Sequence, residues 1–358
     1  MTRTTINPWL NRFAVITAAA TFVLIGAGGL VTSHEAGMAV PDWPTTYGYN
    51  MFLFPPSYWI GGIFYEHTHR LLASMVGLLT AVLAGWLWLK EDRPWLRWLG
   101  VAAFFGVILQ GVLGGLRVTL FKDQIGIFHA AVAQLFLVVV SLIALFTSQS
   151  WQKRQGASGE MTPFSNTGRW LLLMAVLMVL VQLILGASMR HQHAGLAVPD
   201  FPLAYGKLWP PTDAPFLDSV NRSRLDVRDQ NPITASQVVL HMAHRIGAIF
   251  TLIAAGCVAL KIKNEFGRAT RVFRFALGWF GLIINQAVLG AATVWTQKAA
   301  DVATAHVILG AASLVVGSVL CAIVLQSPLR FGLALHRTAV LQPMNDEIAE
   351  TKTMVRSV

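Results

Sequence analysis

Tyr65-Glu66-His67-Thr68-His69-Arg70 opens an apolar run, Leu71 to Leu89, whose only polar side chains are Ser74, Thr80 and the indoles of Trp86 and Trp88. On a helix, residues three and four apart share a face, so Glu66, His69 and Arg70 line up together. An acid, an imidazole and a guanidinium at the mouth of a membrane-length run are costly to place there and point to function. A lone His69 would read as a satisfied polar group near an interface. The pattern returns, however: His241-Met242-Ala243-His244-Arg245 opens a second apolar run with the same His-Arg pair. The chain reads as a duplication.

Of 358 residues, 55% are hydrophobic and 12% charged, and the mean hydropathy is +0.57. With apolar runs of about twenty residues, this indicates a polytopic membrane protein rather than soluble domains. The net charge of +10 raises nucleic acid as a partner. The basic residues, though, sit mainly in short connections between apolar runs, where they set topology, and no nucleic-acid binding is expected. Cys257 and Cys321 fall inside apolar runs and read as apolar filler, not as a disulfide or a metal site. Arg3 and Arg12 precede the first run without a convincing cleavage site, so that run reads as a retained span.

The spans lie roughly at 13–32, 65–89, 98–116, 125–147, 170–189, 236–260, 275–294 and 304–326. Lys90, Arg93 and Arg97 mark the second connection, Lys153, Arg154 and Arg169 the fourth, and Lys261, Lys263, Arg268, Arg271 and Arg274 the sixth. Loop 33–64 has no Lys or Arg. The positive-inside rule then places both termini in the cytoplasm and the odd-numbered loops outside. Loop 190–235 is discordant, but it is long and balances its basic residues with Asp200, Asp213, Asp218, Asp226 and Asp229.

The two long outer loops repeat each other. Ala36-Gly37-Met38-Ala39-Val40-Pro41-Asp42-Trp43-Pro44 matches Ala194-Gly195-Leu196-Ala197-Val198-Pro199-Asp200-Phe201-Pro202, an offset of 158 (Asp42 to Asp200). His69-Arg70 matches His244-Arg245 at 175, and His129 matches His306 at 177. Each half holds four spans, so both copies enter the membrane in the same orientation. The expected fold is all-α, with eight transmembrane helices arranged as two pseudo-symmetric parallel four-helix bundles. The expected divisions are an N-terminal half at 12–147, a cytoplasmic linker at 148–169, a C-terminal half at 170–327 and a cytoplasmic tail at 328–358. Prolines stiffen each Pro-Asp-aromatic-Pro loop. Its aromatic either caps a cavity between helices or anchors at the interface.

Spans two, four, six and eight begin at the outer face, and His69, His129, His244 and His306 each sit near the start of one. Two imidazoles in each half can therefore face one another across a bundle. Such a pair suits the axial positions of a haem iron. Gly77, Gly114, Gly115, Gly126, Ala130, Gly247, Gly290 and Gly310 leave room for a flat macrocycle, although small residues also promote close helix packing. Zinc or copper would want three or four converging ligands with carboxylates behind them, and carboxylates are nearly absent from these spans. A proton relay or ion pathway stays open. The halves differ at one telling place: Glu66 stands where the second copy has His241. A carboxylate there can act as acid or base, or stabilise positive charge at a porphyrin edge. Its plainer role is an i,i+4 ion pair with Arg70.

Glu-x-x-His-Arg (Glu66, His69, Arg70), the partner His129, the pair His244 and His306, and both outer-loop copies together resemble the haem A synthase family, over about residues 12–327. The resemblance implies oxidation of the methyl at porphyrin C8 of haem O to a formyl group, giving haem A for terminal oxidases. It implies that His69 and His129 hold the substrate haem, that Glu66 is catalytic, and that His244 and His306 are axial ligands of a haem b cofactor. It also implies an inner-membrane location beside the farnesyltransferase that makes haem O, an external electron donor, and contact with membrane lipid. Homo-oligomers stay open. Some family members carry a Cys pair in an outer loop; loops 33–64 and 190–235 have none, which counts against a thiol–disulfide electron route here. Arg70, Arg245, Arg117 and Arg190 are candidates for the haem propionates, with headgroup anchoring as the alternative. Two other function classes remain: a bis-His di-haem electron carrier that alters neither haem, and, more distantly, a haem or ion transporter. Glu66 in one half only favours chemistry over carriage.

Overall fold

The computed structural model describes residues 7–156, 164–225 and 232–325. The expected tail at 328–358 lies outside the described residues. Helix α1 (Pro8–Ser33) starts where Asn7 accepts from the N–H groups of Trp9 and Leu10, with Pro8 in a position that needs no N–H. Helices α2 (Gly61–Lys90), α3 (Pro94–Leu120) and α4 (Asp123–Phe146) complete the first half. A short helix α5 (Gln149–Gly156) follows. Helix α6 (Asn166–His191) is capped by Ser165, and α7 (Ala214–Leu225) lies in the long loop. Helix α8 (Ala235–Phe266) opens with a Thr234–Gln237 capping box, and Thr270 caps α9 (Arg271–Trp295). Helix α10 (Ala300–Leu325) ends the described chain.

Among the described residues, eight helices are long and apolar enough to cross a membrane: α1 to α4, α6, and α8 to α10. In hydrocarbon every backbone N–H and C=O must be satisfied within its own segment, which is why apolar runs of this length become helices. Several helices overrun their apolar runs. Helix α8 continues to Phe266 through Lys261, Lys263 and Glu265, because polar side chains at the interface keep helical backbone while their charged ends reach water.

Packing follows the duplication. Helices α1, α2, α3 and α4 close a ring of neighbours, and α6, α8, α9 and α10 close a second. Each ring has its own core, one around Val76, Leu83, Leu87 and Leu137, the other around Leu172, Val258, Ile262 and Trp279. The rings meet through α1 with α10, α4 with α6, and α4 with α10. Exchanging α1 with α6 and α4 with α10 maps these contacts onto themselves, a pairing compatible with a twofold along the bundle. At the seam α1 approaches closely: a Cβ on Gly26 would stand 3.1 Å from Ile308, and one on Gly29 3.1 Å from Thr304. Arg190 of α6 donates to the Gly29 carbonyl at 2.9 Å and to Ser33 Oγ at 2.9 Å, tying the halves together at one end.

Candidate functional site

Each half is covered at one end by the same loop, built the same way. In the first, Arg70 donates to the carbonyls of Val40 (2.9 Å), Asp42 (2.7 Å) and Thr45 (3.0 Å). In the second, Arg245 donates to Val198 (3.3 Å), Asp200 (2.7 Å) and Leu203 (2.9 Å), each 158 positions on. Asp42 accepts from the N–H groups of Tyr47 and Gly48 and from Thr45 Oγ1; Asp200 accepts from the N–H groups of Tyr205 and Gly206. Burial would raise both carboxyls, but these hydrogen bonds outweigh it and hold them below the usual carboxylate range. The Tyr47 and Tyr205 hydroxyls close the turns on the carbonyls of Ala39 and Ala197. Trp43-Pro44 and Phe201-Pro202 are both cis. The Trp43 ring lies against Gly115 of α3, at a place a Cβ would fill, and Phe201 packs edge-on against Trp295 of α9. The aromatic of each loop therefore leans on its bundle.

Beneath the loops sit the four histidines. His244 of α8 and His306 of α10 face each other with ring centres 6.5 Å apart and planes at 81°. A metal–imidazole bond of about 2 Å on each side, plus roughly 1 Å from nitrogen to ring centre, calls for about 6 Å between centres. The pair fits one iron between them. His69 of α2 and His129 of α4 are likewise close enough to interact electrostatically across the first ring. In all four, Nδ1 is buried without a hydrogen-bond partner, while the residue as a whole is only half-buried. With Nδ1 sealed in each ring, axial ligation of a metal would fall to Nε2.

A glycine stands behind each ring. An added Cβ would lie 3.1 Å from His69 Cε1 at Gly28, 3.4 Å from His129 Cε1 at Gly114, 3.4 Å from His244 Cε1 at Gly186 and 3.1 Å from His306 Cε1 at Gly290. The backbone carbonyls of Leu24, Gln110 and Gln286, four residues before three of these glycines, polarise the corresponding imidazoles. Without a Cβ on the glycine, the ring can lie close to that carbonyl, although no Nδ1 of the four is hydrogen-bonded. Among the described residues no three His, Cys, Asp or Glu side chains converge. The donors come in pairs.

The first half adds polar groups that the second lacks. Glu66 is buried, accepts from the Val40 N–H at 2.8 Å and pairs with Arg70 at 2.7 Å. Its counterpart His241 is also buried, but its Nδ1 contacts the Ala194 carbonyl at 3.1 Å. Arg117, at the end of α3, lies within electrostatic reach of Glu66, His69 and His129, and its Nε is buried without a partner. Gln110 has both amide atoms buried and unpartnered, whereas the matching Gln286 donates to the His306 carbonyl at 2.9 Å. His191, from the end of α6, lays its ring on Gly126, one turn before His129, where a Cβ would come within 3.0 Å of three ring atoms.

Residues 61–318 match the COX15-CtaA family of cytochrome oxidase assembly proteins, a span that takes in all four histidines and Glu66. The chain belongs to this family. It is similar to the heme A synthase of Shouchella clausii, 28% identical over 81% of this chain and 88% of the relative. It is also similar to the heme A synthases of Alkalihalophilus pseudofirmus (25%, covering 84% and 92%) and Shewanella oneidensis (27%, covering 83% and 90%).

Within this family member the expected site residues fall into place unequally. His244 and His306 come together, as do His69 and His129, and Glu66 stands one turn from His69. Arg70 and Arg245 spend their terminal NH2 groups on loop carbonyls, and Arg70 on Glu66 as well, which makes them loop clasps first. Arg190 is committed to the α1 end. Arg117 and Arg245 each keep a buried Nε without a partner, but Arg245 also clasps its outer loop, whereas Arg117 lies within electrostatic reach of His69 and His129. Of the glycines expected to make room, Gly114 and Gly290 back the His129 and His306 rings, but Gly115 and Gly126 receive Trp43 and His191 instead. Gly28 and Gly186 were missed, although their offset of 158 matches that of the outer loops and could have found them.

Proposed function

We propose that this chain is a haem A synthase, oxidising the C8 methyl of haem O to the formyl group of haem A for terminal oxidases. The observation that carries this reading is a duplicated pair of neighbouring histidines in which, among the described residues, only the first copy has a buried carboxylate one turn away. The first half (12–147) takes haem O as substrate between His69 and His129; the second (170–327) holds haem b between His244 and His306. When bound there, haem b would supply one-electron chemistry. The reacting methyl lies on the porphyrin rim, so axial histidines can anchor the ring while its edge reacts. Glu66, pinned at two points by Val40 N–H and Arg70, is a preorganised negative charge where oxidation builds positive charge or releases protons. Arg117 and the Gln110 amide are the free polar groups for the substrate's carboxylates and rim. Both termini lie in the cytoplasm of a bacterial-type inner membrane, from the Lys/Arg-rich second, fourth and sixth connections. The farnesyltransferase that makes haem O and an external electron donor are the expected partners.

A di-haem carrier would use the same histidines, but has no need of Glu66 in one half only. Chemical identification of the haems extracted from purified protein tests the assignment. His244→Ala and His306→Ala should each remove the low-spin haem b spectrum and leave the first-half haem in place. A wild-type spectrum in both variants would refute the ligand assignment.

A further inference from the structure

Between α8 and α9 runs a groove of about 320 Å³, lined by Gly256, Ala259, Leu260 and Lys263 on one side, Phe273, Leu277 and Phe280 on the other, and Arg268 at its end. The α8 residues recur every three or four positions and so form one face; the same holds for α9. The small Gly256 and Ala259 make the hollow: a Cβ on Gly256 would already meet the Phe280 ring at 3.3 Å. From Gly256 to Lys263 the groove follows α8 for about 10 Å at 1.5 Å per residue. It is apolar until its last turn, where two cations close it. Lys261 is paired with Glu265 at 3.1 Å. Among the described residues, no carboxylate lies within 4.0 Å of Lys263 or Arg268.

The other half provides an internal comparison. The offset of 175 that relates His69 to His244 puts Trp88 in the place of Lys263 and Arg93 in the place of Arg268. Trp88 packs edge-on against Trp98, ring centres 5.6 Å apart, and Arg93 is neutralised by Glu91 at 2.7 Å. The first half thus has indoles and a closed ion pair where the second has an apolar slot ending in two uncompensated cations. We propose that this slot binds a phospholipid with an anionic headgroup, its phosphate between Lys263 and Arg268 and one acyl chain along Leu260, Leu277 and Phe280. Paired cations at the end of an interhelical slot favour a net-negative headgroup over a zwitterionic one, and the apolar walls suit a hydrocarbon chain.

The test uses the purified full chain, equilibrated in vesicles of equal phosphatidylcholine and phosphatidylglycerol, re-extracted, and weighed by native mass spectrometry for retained lipid. Phosphatidylglycerol is expected to exceed phosphatidylcholine by about tenfold in the wild type, and the excess should vanish in Lys263→Gln/Arg268→Gln. Lys90→Gln/Arg97→Gln, at the matching end of the first half, should leave it unchanged. Leu277→Trp, which fills the slot from its exposed side and keeps both cations, should cut retained phosphatidylglycerol severalfold. Equal retention of the two lipids, a preference that survives Lys263→Gln/Arg268→Gln, or one that Lys90→Gln/Arg97→Gln also abolishes would overturn the site. Wild-type retention in Leu277→Trp would overturn the placement of the acyl chain.

Discussion

The glycines behind the histidines make a graded prediction. Gly290→Ala places a Cβ 3.1 Å from His306 Cε1, whereas Gly186→Ala places one 3.4 Å from His244 Cε1. Carbon–carbon contact is comfortable from about 3.5 Å, so the His306 ring must retreat by about 0.4 Å and the His244 ring hardly at all. A shift of that size reaches the roughly 0.5 Å tolerance of a ligand constellation. Overpacking of this kind costs about 1 kcal/mol at the low end, equivalent to roughly fivefold faster loss of the second-half haem. Both substitutions gain the same helix propensity, so the difference between them isolates the clash. The assay is transfer of haem from each purified variant to a haem-scavenging protein, followed through the low-spin absorption band. Gly290→Ala should release haem about fivefold faster and Gly186→Ala at the wild-type rate. Equal rates, or the reverse order, would refute the idea that these glycines set ring position.

Replacing Arg245 by Gln removes three carbonyl partners from the second outer loop; part of that loss is recovered by water, leaving about 2 kcal/mol, or a roughly thirty-fold faster proteolytic nicking of residues 198–207. Unchanged nicking would show that the loop holds itself without the clasp. Asp42 and Asp200 have folded-state pKa values below their ordinary 3.8, so their contribution is fully present above that value and lost as pH falls through the lower folded one. Outer-loop amide protection should therefore persist at pH 5 and collapse only in stronger acid, with Asp42→Asn flattening the first-loop transition; a collapse near neutral pH would contradict the carboxylate anchors. Arg117→Gln should weaken haem O binding severalfold while leaving the haem b spectrum intact, measured by titration; equal weakening at both sites would make Arg117 a general structural cation.

The eight helices were legible because a membrane leaves an apolar run no other backbone state, and the duplication was legible because Pro-Asp-aromatic-Pro and His-Arg recur in order. The facing of His244 and His306 followed from their common depth. The Glu66–Arg70 pair was legible too, as an i,i+4 contact, but only as one of the four partners Arg70 has. Its three loop carbonyls lie 25 to 30 positions away, and nothing in local spacing announces that a loop will fold back onto a helix mouth. The same holds for His191, which belongs to the second half by sequence and meets the helix that carries His129 only because α4 and α6 pack together. Glycines were ambiguous for a physical reason: a missing Cβ admits an imidazole, an indole or a neighbouring backbone alike, and only the packed helices decide which.

The central claim is chemical, that the first half alters its haem. It is tested by expressing the chain, and separately Glu66→Gln, in cells that make haem O but have no other source of haem A, and identifying the extracted haems by mass. The wild type should yield haem A, and Glu66→Gln should retain haem in both halves while haem O stays unconverted, since the amide keeps the shape of the side chain and loses its charge. Haem O and haem b without haem A from the wild type, with both halves occupied, would contradict the synthase assignment and leave a di-haem carrier in its place.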